Sequence, residues 1–109
     1  MAIAVNIKAN KTSTDIAYHE WLHKDSFKNS KTYKKFLNWV SCEFILNLQD
    51  DTDGLIIFFP NGSFIIKEII SKRNAVNFKI EVKSKCSKNG ISTFEKIIRV
   101  LNHVKTFQK

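Results

Sequence analysis

The sequence predicts an α+β fold, in which an antiparallel meander of four to five strands is packed by two or three helices. Runs of alternating apolar residues are joined by short turns in the second half of the chain, which is typical of consecutive antiparallel strands. Two other segments, 30–40 and 92–104, carry apolar residues at helical spacing. The chain has 109 residues, one proline and no repeat or linker, so we expect a single domain over 1–109. The expected element order is β-α-α-β-β-β-β-α.

The first predicted elements are a strand over 2–8 and a short helix over 14–24. Residues 2–8 alternate between apolar side chains and small or polar ones, as a strand with one buried face does. The polar residues 10–14 end this strand and offer capping groups for the helix. A polar connection over 25–30 then leads to a second helix, which begins near Ser30.

The second predicted helix has a buried stripe with the i, i+3, i+4, i+7 spacing, formed by Tyr33, Phe36, Leu37 and Val40. The segment 40–48 that follows fits either a helix or a strand. Continuing the helix would place Glu43 and Asn47 in its apolar stripe, whereas apolar and polar residues alternate as in a strand. We therefore predict a strand over 42–49.

The central predicted feature is a hairpin, made of a strand over 55–59, a turn at 60–62 and a strand over 63–70. The turn reads Pro-Asn-Gly, in which proline presets the turn while asparagine and glycine accept a positive φ. Both strands carry apolar residues on both faces, so we expect other elements to cover both faces of the hairpin. If the helices all pack on one side, the other face is left open for a protein partner or a dimer; otherwise the N-terminal segment and a helix cover it.

The last predicted elements are a strand over 75–85 and a C-terminal helix, with turns at 71–74 and at 89–90. In the strand, buried apolar residues alternate with polar ones, which indicates one solvated face. Ser92 and Glu95 have the spacing of a capping box, so we expect the helix to begin there. The apolar stripe of this helix consists of Phe94, Ile97, Ile98, Leu101 and Val104.

The chain is strongly basic, with 18 basic residues against 10 acidic ones and a net charge of +8. Such an excess suggests an acidic partner. All but two of the basic residues are lysines. Proteins that recognise phosphates and bases specifically use mainly arginine, so we expect any nucleic-acid binding to be weak and non-specific. Five residues form the candidate partner-binding surface, on the predicted strand over 75–85 and the turn before it: Lys72, Arg73, Lys79, Lys83 and Lys85. The alternative is that these lysines are a solvated face protecting an edge strand.

One five-residue motif could carry chemistry. Residues 19–23 read His-Glu-Trp-Leu-His on the predicted helix over 14–24, and this resembles the H-E-x-x-H pattern of zinc-dependent metalloproteases. Histidines four apart on a helix can share a zinc ion, with Glu20 as the base toward a bound water. Glu43 is a candidate third ligand, and His103 and the aspartates of 50–53 are others. No motif supports such a ligand, and a Glu20–Lys24 ion pair on a solvated helix explains the same residues. We therefore expect no catalytic residues, no bound metal and no cofactor.

These observations together favour a small non-catalytic binding protein that inhibits or modulates one macromolecular partner. We expect an acidic protein partner, an enzyme or toxin, as for the immunity protein of a bacterial toxin-immunity system or a phage-encoded inhibitor. The alternatives are a basic nucleic-acid-binding domain and a small zinc hydrolase. Two cysteines, no secretory signal pattern and no apolar run of membrane-spanning length favour a cytoplasmic protein that does not bind membranes. A homodimer is compatible with the surplus of apolar sheet residues.

Overall fold

The computed structural model describes residues 18–69 and 75–107, which form five strands and two helices. Their bounds are β1 (His19–Phe27), α1 (Ser30–Glu43), β2 (Gln49–Asp50), β3 (Leu55–Phe59), β4 (Gly62–Ile69), β5 (Val76–Ser84) and α2 (Ser87–Phe107). The strands form one antiparallel sheet in the order β1-β5-β4-β3-β2. The predicted α+β class and antiparallel sheet are confirmed. The predicted order β-α-α-β-β-β-β-α differs, because it contains three helices and the described residues form two. The predicted strand over 2–8 and turn over 71–74 lie outside those residues.

The predicted helix over 14–24 is wrong from His19 onward, because this segment is strand β1. All nine residues of β1 pair with β5, from His19 opposite Ser84 to Phe27 opposite Val76. The pairs that favoured a helix, such as Glu20 with Lys24, are four residues apart. Since four is also an even number, such residues share a face in a strand as well. The local spacing therefore did not distinguish the two structures, and pairing with β5 decides between them.

The predicted strand over 42–49 is also wrong in most of its length. Helix α1 continues to Glu43, and only Gln49 and Asp50 form a strand. The Glu43 carboxylate points out of the core and lies 3.8 Å from the Lys96 ammonium group on α2. Asn47 lies beyond the end of the helix, where its side-chain amide donates to the Phe58 carbonyl at 2.9 Å. Glu43 is thus the last helical residue and points outward, and Asn47 lies beyond the helix, so neither one enters the apolar stripe.

The central hairpin and strand β5 are confirmed. Asn61 has a φ of 71°, which is the positive value that the turn requires. Residues of β5 alternate between buried and partly or fully exposed positions, with Phe78, Ile80 and Val82 all at 0% exposure. Strand β5 lies between β1 and β4 and is not an edge strand, so protection of an edge does not explain its lysines.

Helix α2 begins at Ser87, five residues before the predicted capping box. The residues before it form a compact turn, in which the buried Ser84 hydroxyl donates to the Cys86 carbonyl at 2.7 Å and accepts from the Cys86 N–H at 3.1 Å. Gly90 then donates its N–H to the same carbonyl at 3.0 Å, which is the first helical bond. Asn89 and Gly90 therefore lie in the first turn of α2 and not in a loop.

The core lies between the two helices and one face of the sheet. Phe27, Phe36 and Phe78 pack together with ring centroids 5.1 to 5.7 Å apart, joining β1, α1 and β5. Ile97 and Leu101 of α2 are buried as predicted. Neither helix of the described residues is long and apolar enough to cross a membrane.

Candidate functional site

Both helices pack on the same face of the sheet. Asp25 of β1 bonds to Lys105 of α2, and Gln49 of β2 bonds to Ser41 of α1. The strand register places Asp25 and Gln49 on the face that also carries the buried side chains of β5. Residues between these positions point the other way, because successive side chains of a strand alternate. Within the described residues, no element covers that second face.

We call the second face the open face. It is formed by Glu20, Leu22, Lys24 and Ser26 of β1, Asn77, Lys79, Glu81 and Lys83 of β5, Ser63, Ile65, Lys67 and Ile69 of β4, Ile56 and Phe58 of β3, and Asp50 of β2. The backbone of this surface is fixed by hydrogen-bonded strands, so a partner would meet a preformed surface.

The β3 end of the open face carries a group of apolar side chains, to which Leu48, just before β2, also belongs. We call this group the apolar half: Leu48, Ile56, Phe58 and Ile65. Leu48 joins β3 at its edge, since its carbonyl accepts the Phe58 N–H at 3.0 Å, and Ile56 lies opposite Ile65 on β4. Phe58 is 44% exposed and Leu48 is 73% exposed. The neighbouring residues Ile45 and Leu46 are exposed as well, Leu46 at 97%. Contiguous exposed apolar residues usually mark a site of protein contact.

Beside the apolar half lies a row of three lysines across three strands, which we call the lysine row. Lys79 of β5 is directly opposite Lys24 of β1 on one side and Lys67 of β4 on the other. Directly opposite residues have Cβ atoms about 5 Å apart, and like charges at that separation repel. The nearby carboxylates neutralise the row only in part. Asp53 pairs with Lys67 at 2.9 Å, and Glu81 lies 3.7 Å from the Lys79 ammonium.

The structure places only part of the predicted surface on the open face. Lys79 and Lys83 point outward from β5, and Lys83 lies opposite Glu20. Lys85 follows the strand, exposed, with its ammonium 6.0 Å from the centroid of the Tyr18 ring. The other two predicted residues, Lys72 and Arg73, lie outside the described residues.

Sequence reasoning missed the other two members of the lysine row. Lys67 alternates with Ile65 and Ile69 in the predicted strand over 63–70, so that pattern could have placed it on an outward face. Lys24 could not be found in this way, because its segment was assigned to a helix. Neither residue could be placed opposite Lys79 without the strand register.

The H-E-x-x-H segment does not form the helical zinc site that its spacing suggests. His19 and His23 lie on strand β1, where four residues span about 13 Å. Two nitrogen ligands of one zinc ion each lie about 2 Å from the ion, so they lie within about 4 Å of each other. The backbone spacing of these two histidines on the strand is too long for their side chains to share an ion in this way. The candidate third ligand, Glu43, instead faces Lys96. Within the described residues, no group of three or more His, Cys, Asp or Glu side chains is placed to hold a metal.

A cluster of hydrogen-bonded ionisable groups lies between β1 and α2, on the helix-covered face. The Asp25 carboxylate accepts from the Lys105 ammonium at 2.6 Å and from the Ser26 N–H at 2.8 Å, and lies 3.2 Å from His23 Nε2. Partial burial raises the pKa of Asp25, but these hydrogen bonds outweigh burial and hold that pKa below its usual range. Each group is satisfied by the others, so the cluster serves to fix α2 on the sheet.

A cleft of about 800 Å³ lies between α1 and the loop that joins β2 to β3. Its lining includes Tyr33, Lys34, Asp53 and Glu68. Burial and the charge of Glu68 raise the pKa of Tyr33 to about 12, so its hydroxyl stays protonated at neutral pH. Asp53 is paired with Lys67, and Asp50 accepts the Thr52 N–H at 2.9 Å in a local turn. The loop is therefore held by the contact of Asp53 with β4 and by the local turn at Asp50.

The chain matches no protein-family model and none of the curated proteins with which it was compared. The candidate function therefore rests on the geometry of the open face.

Proposed function

We propose that this protein is a small non-catalytic binding protein that uses the open face to bind one acidic protein partner, which it inhibits or modulates. The immunity protein of a bacterial toxin-immunity system and a phage-encoded inhibitor are two such proteins. The observation that supports the proposal is the lysine row lying beside the apolar half on a sheet face that no other described element covers. We further propose that it acts in the cytoplasm, where its two cysteines stay reduced.

The two halves of the open face would contribute differently to binding. A few buried apolar or aromatic anchors carry most of the energy of a protein interface, and Phe58 and Leu48 are exposed candidates for that role. Lysines add less affinity, but they attract an acidic surface from a distance and so speed encounter. The sheet presents the apolar anchors and the lysines on a backbone that is already fixed, so binding loses little backbone entropy.

An acidic protein fits this surface better than a nucleic acid does. Open sheets that bind single-stranded nucleic acid stack bases on several aromatic side chains. Among the strand residues of the open face, Phe58 is aromatic, and Tyr18, which is 49% exposed beside Lys85, comes just before β1. Strands β4 and β5 lie between these two aromatic residues, so they do not form one stacking platform. The neighbours of Phe58, Ile56 and Ile65, would be buried by an apolar protein contact and gain nothing from a phosphate backbone.

The test is capture of a partner from nuclease-treated host lysate with three forms of the full chain. These are the wild type, the open-face variant Lys79→Glu/Lys83→Glu, and the control variant Lys35→Glu/Lys88→Glu, whose residues are exposed on α1 and α2. The charge change is the same in both variants. We expect an acidic protein that binds one-to-one to the wild type and the control and is lost from the open-face variant.

Two outcomes would overturn this proposal. Equal recovery of the same protein by all three forms would show that binding does not use the open face. Recovery of nucleic acid from untreated lysate, with no protein retained after nuclease treatment, would replace the acidic protein with a nucleic acid as the partner.

A further inference from the structure

Strand β1 is at one end of the sheet formed by the described residues. One side of it pairs with β5 over nine residues, and the other side pairs with no described strand. The backbone N–H and C=O groups on that outer side can accept a further strand. Charged side chains normally discourage such pairing, so the charge pattern of β1 determines which strands it could accept.

The charges of β1 are self-complementary about Leu22. If a second copy pairs antiparallel with a two-fold axis at Leu22, Glu20 lies opposite Lys24 of the second copy. Symmetry repeats this pair on the other side of the axis. On the helix-covered face, His19 lies opposite Asp25 of the second copy, again twice. Leu22, which is 55% exposed, lies against its own counterpart.

Neighbouring registers lose this complementarity. With the axis at His23, the exposed Leu22 lies opposite the charged Lys24 of the second copy. With the axis at Trp21, Glu20 lies opposite Leu22, and the two histidines His19 and His23 lie opposite each other. Only the axis at Leu22, among these three, pairs opposite charges and buries the apolar residue at the centre.

We propose that two copies of this chain associate through their β1 edges, in antiparallel pairing with a two-fold axis at Leu22. Directly opposite residues share a face of an antiparallel sheet, so the two open faces form one continuous surface. In that surface, Glu20 of each copy lies beside Lys24 of the other copy, at the end of its lysine row. Pairing of one strand per copy gives a small interface, so the dimer is concentration-dependent. This inference does not depend on the proposed function.

The test is the dimer dissociation constant of the full chain, measured by sedimentation from micromolar to millimolar concentration. The variant Lys24→Glu places glutamates opposite each other, and Glu20→Lys places lysines opposite each other. We expect each to raise the dissociation constant about tenfold, because two symmetry-related pairs change from attraction to repulsion. The double variant Glu20→Lys/Lys24→Glu restores opposite charges at both positions and returns the constant to near the wild-type value.

Unfolding cannot account for the expected loss in Lys24→Glu, because the new glutamate lies opposite Lys79 within its own chain and relieves a repulsion. Circular dichroism checks the fold of every variant, and Lys35→Glu on α1 is the matched control, expected to dimerise like the wild type. A chain that is monomeric at all concentrations would overturn the proposal. So would a dimer that is unaffected by the single variants, or one that the double variant does not restore.

Discussion

Lys24 and Lys79 lie directly opposite each other on neighbouring antiparallel strands of the open face. Lys67 continues the row on the far side of Lys79. Like charges in these positions repel, so the free protein keeps an arrangement that reduces its own stability. Proteins retain such arrangements where function requires them, which is consistent with a surface that meets an acidic partner.

Removing one charge from the row should therefore stabilise the free protein. We expect Lys24→Gln to raise the free energy of unfolding by about 0.5 kcal/mol at low salt, because it removes the repulsion from Lys79. The gain should shrink in high salt, which screens exposed charges. Urea unfolding at a concentration where the chain is monomeric measures the effect.

The control for this experiment is Lys35→Gln, which removes an exposed lysine from α1. It should leave the free energy of unfolding nearly unchanged. A Lys24→Gln variant no more stable than this control would show that the row carries no appreciable repulsion.

Phe58 should act as an anchor for the partner. Replacing it by alanine is expected to raise the dissociation rate of the complex at least tenfold, as for a central aromatic residue of an interface. The matched control is Ile91→Ala on α2, because Ile91 is also 44% exposed but lies away from the sheet. Surface plasmon resonance measures both rates. Equal dissociation rates for the two variants would remove the apolar half from the interface.

Asp25 should make stability depend on pH in the acid range. Its pKa is lowered in the folded state, so its contribution is complete above the unfolded value of about 3.9 and is lost as pH falls through the lowered value. Asp25→Asn should cost about 1 kcal/mol at neutral pH, through weaker hydrogen bonds to Lys105 and Ser26. The difference from the wild type should vanish at the lowest pH. Urea unfolding across the range measures it, and a constant difference would contradict this account.

Gly90 should not tolerate a side chain, although alanine is the better helix former. A Cβ atom on Gly90 would lie 2.2 Å from Cζ3 of Trp21 and 2.9 Å from the Ser84 Cβ. We expect Gly90→Ala to lower the free energy of unfolding by about 1–3 kcal/mol, the usual cost of overpacking. The additional variant Trp21→Leu should recover part of that loss. Thermal unfolding tests the pair, and a stabilised Gly90→Ala variant would show that helix propensity prevails over the clash.

The elements that the sequence predicted correctly are those with strong local signals. The hairpin follows from Asn61 and Gly62 at its turn, and the alternation of β5 is unambiguous. The errors arose where local spacing fits two structures. Residues four apart share a face in both a helix and a strand, so β1 read as a helix. The start of α2 depends on Ser84, a strand residue. No sequence rule indicates that its hydroxyl bonds to the backbone of Cys86.

The open face was predictable only in part, because local sequence patterns do not give the pairing of distant strands. Apolar residues on both faces of the hairpin indicated surplus apolar surface, and the alternation of β5 pointed Lys79 and Lys83 outward. The lysine row joins residues from three strands that are distant in sequence. It exists only in the register that sets Lys24 and Lys67 beside Lys79.

The most direct test of the central claim is the association rate constant with the captured partner, measured across a salt series. We expect the wild-type rate to fall steeply with salt while dissociation changes little, since the lysines act mainly on encounter. At low salt, Lys79→Glu/Lys83→Glu should associate at least tenfold more slowly than the wild type and than Lys35→Glu/Lys88→Glu, and the three rates should converge at high salt. An open-face variant that associates at the rate of the control, with the same dependence on salt, would contradict the assignment of the open face as the binding surface.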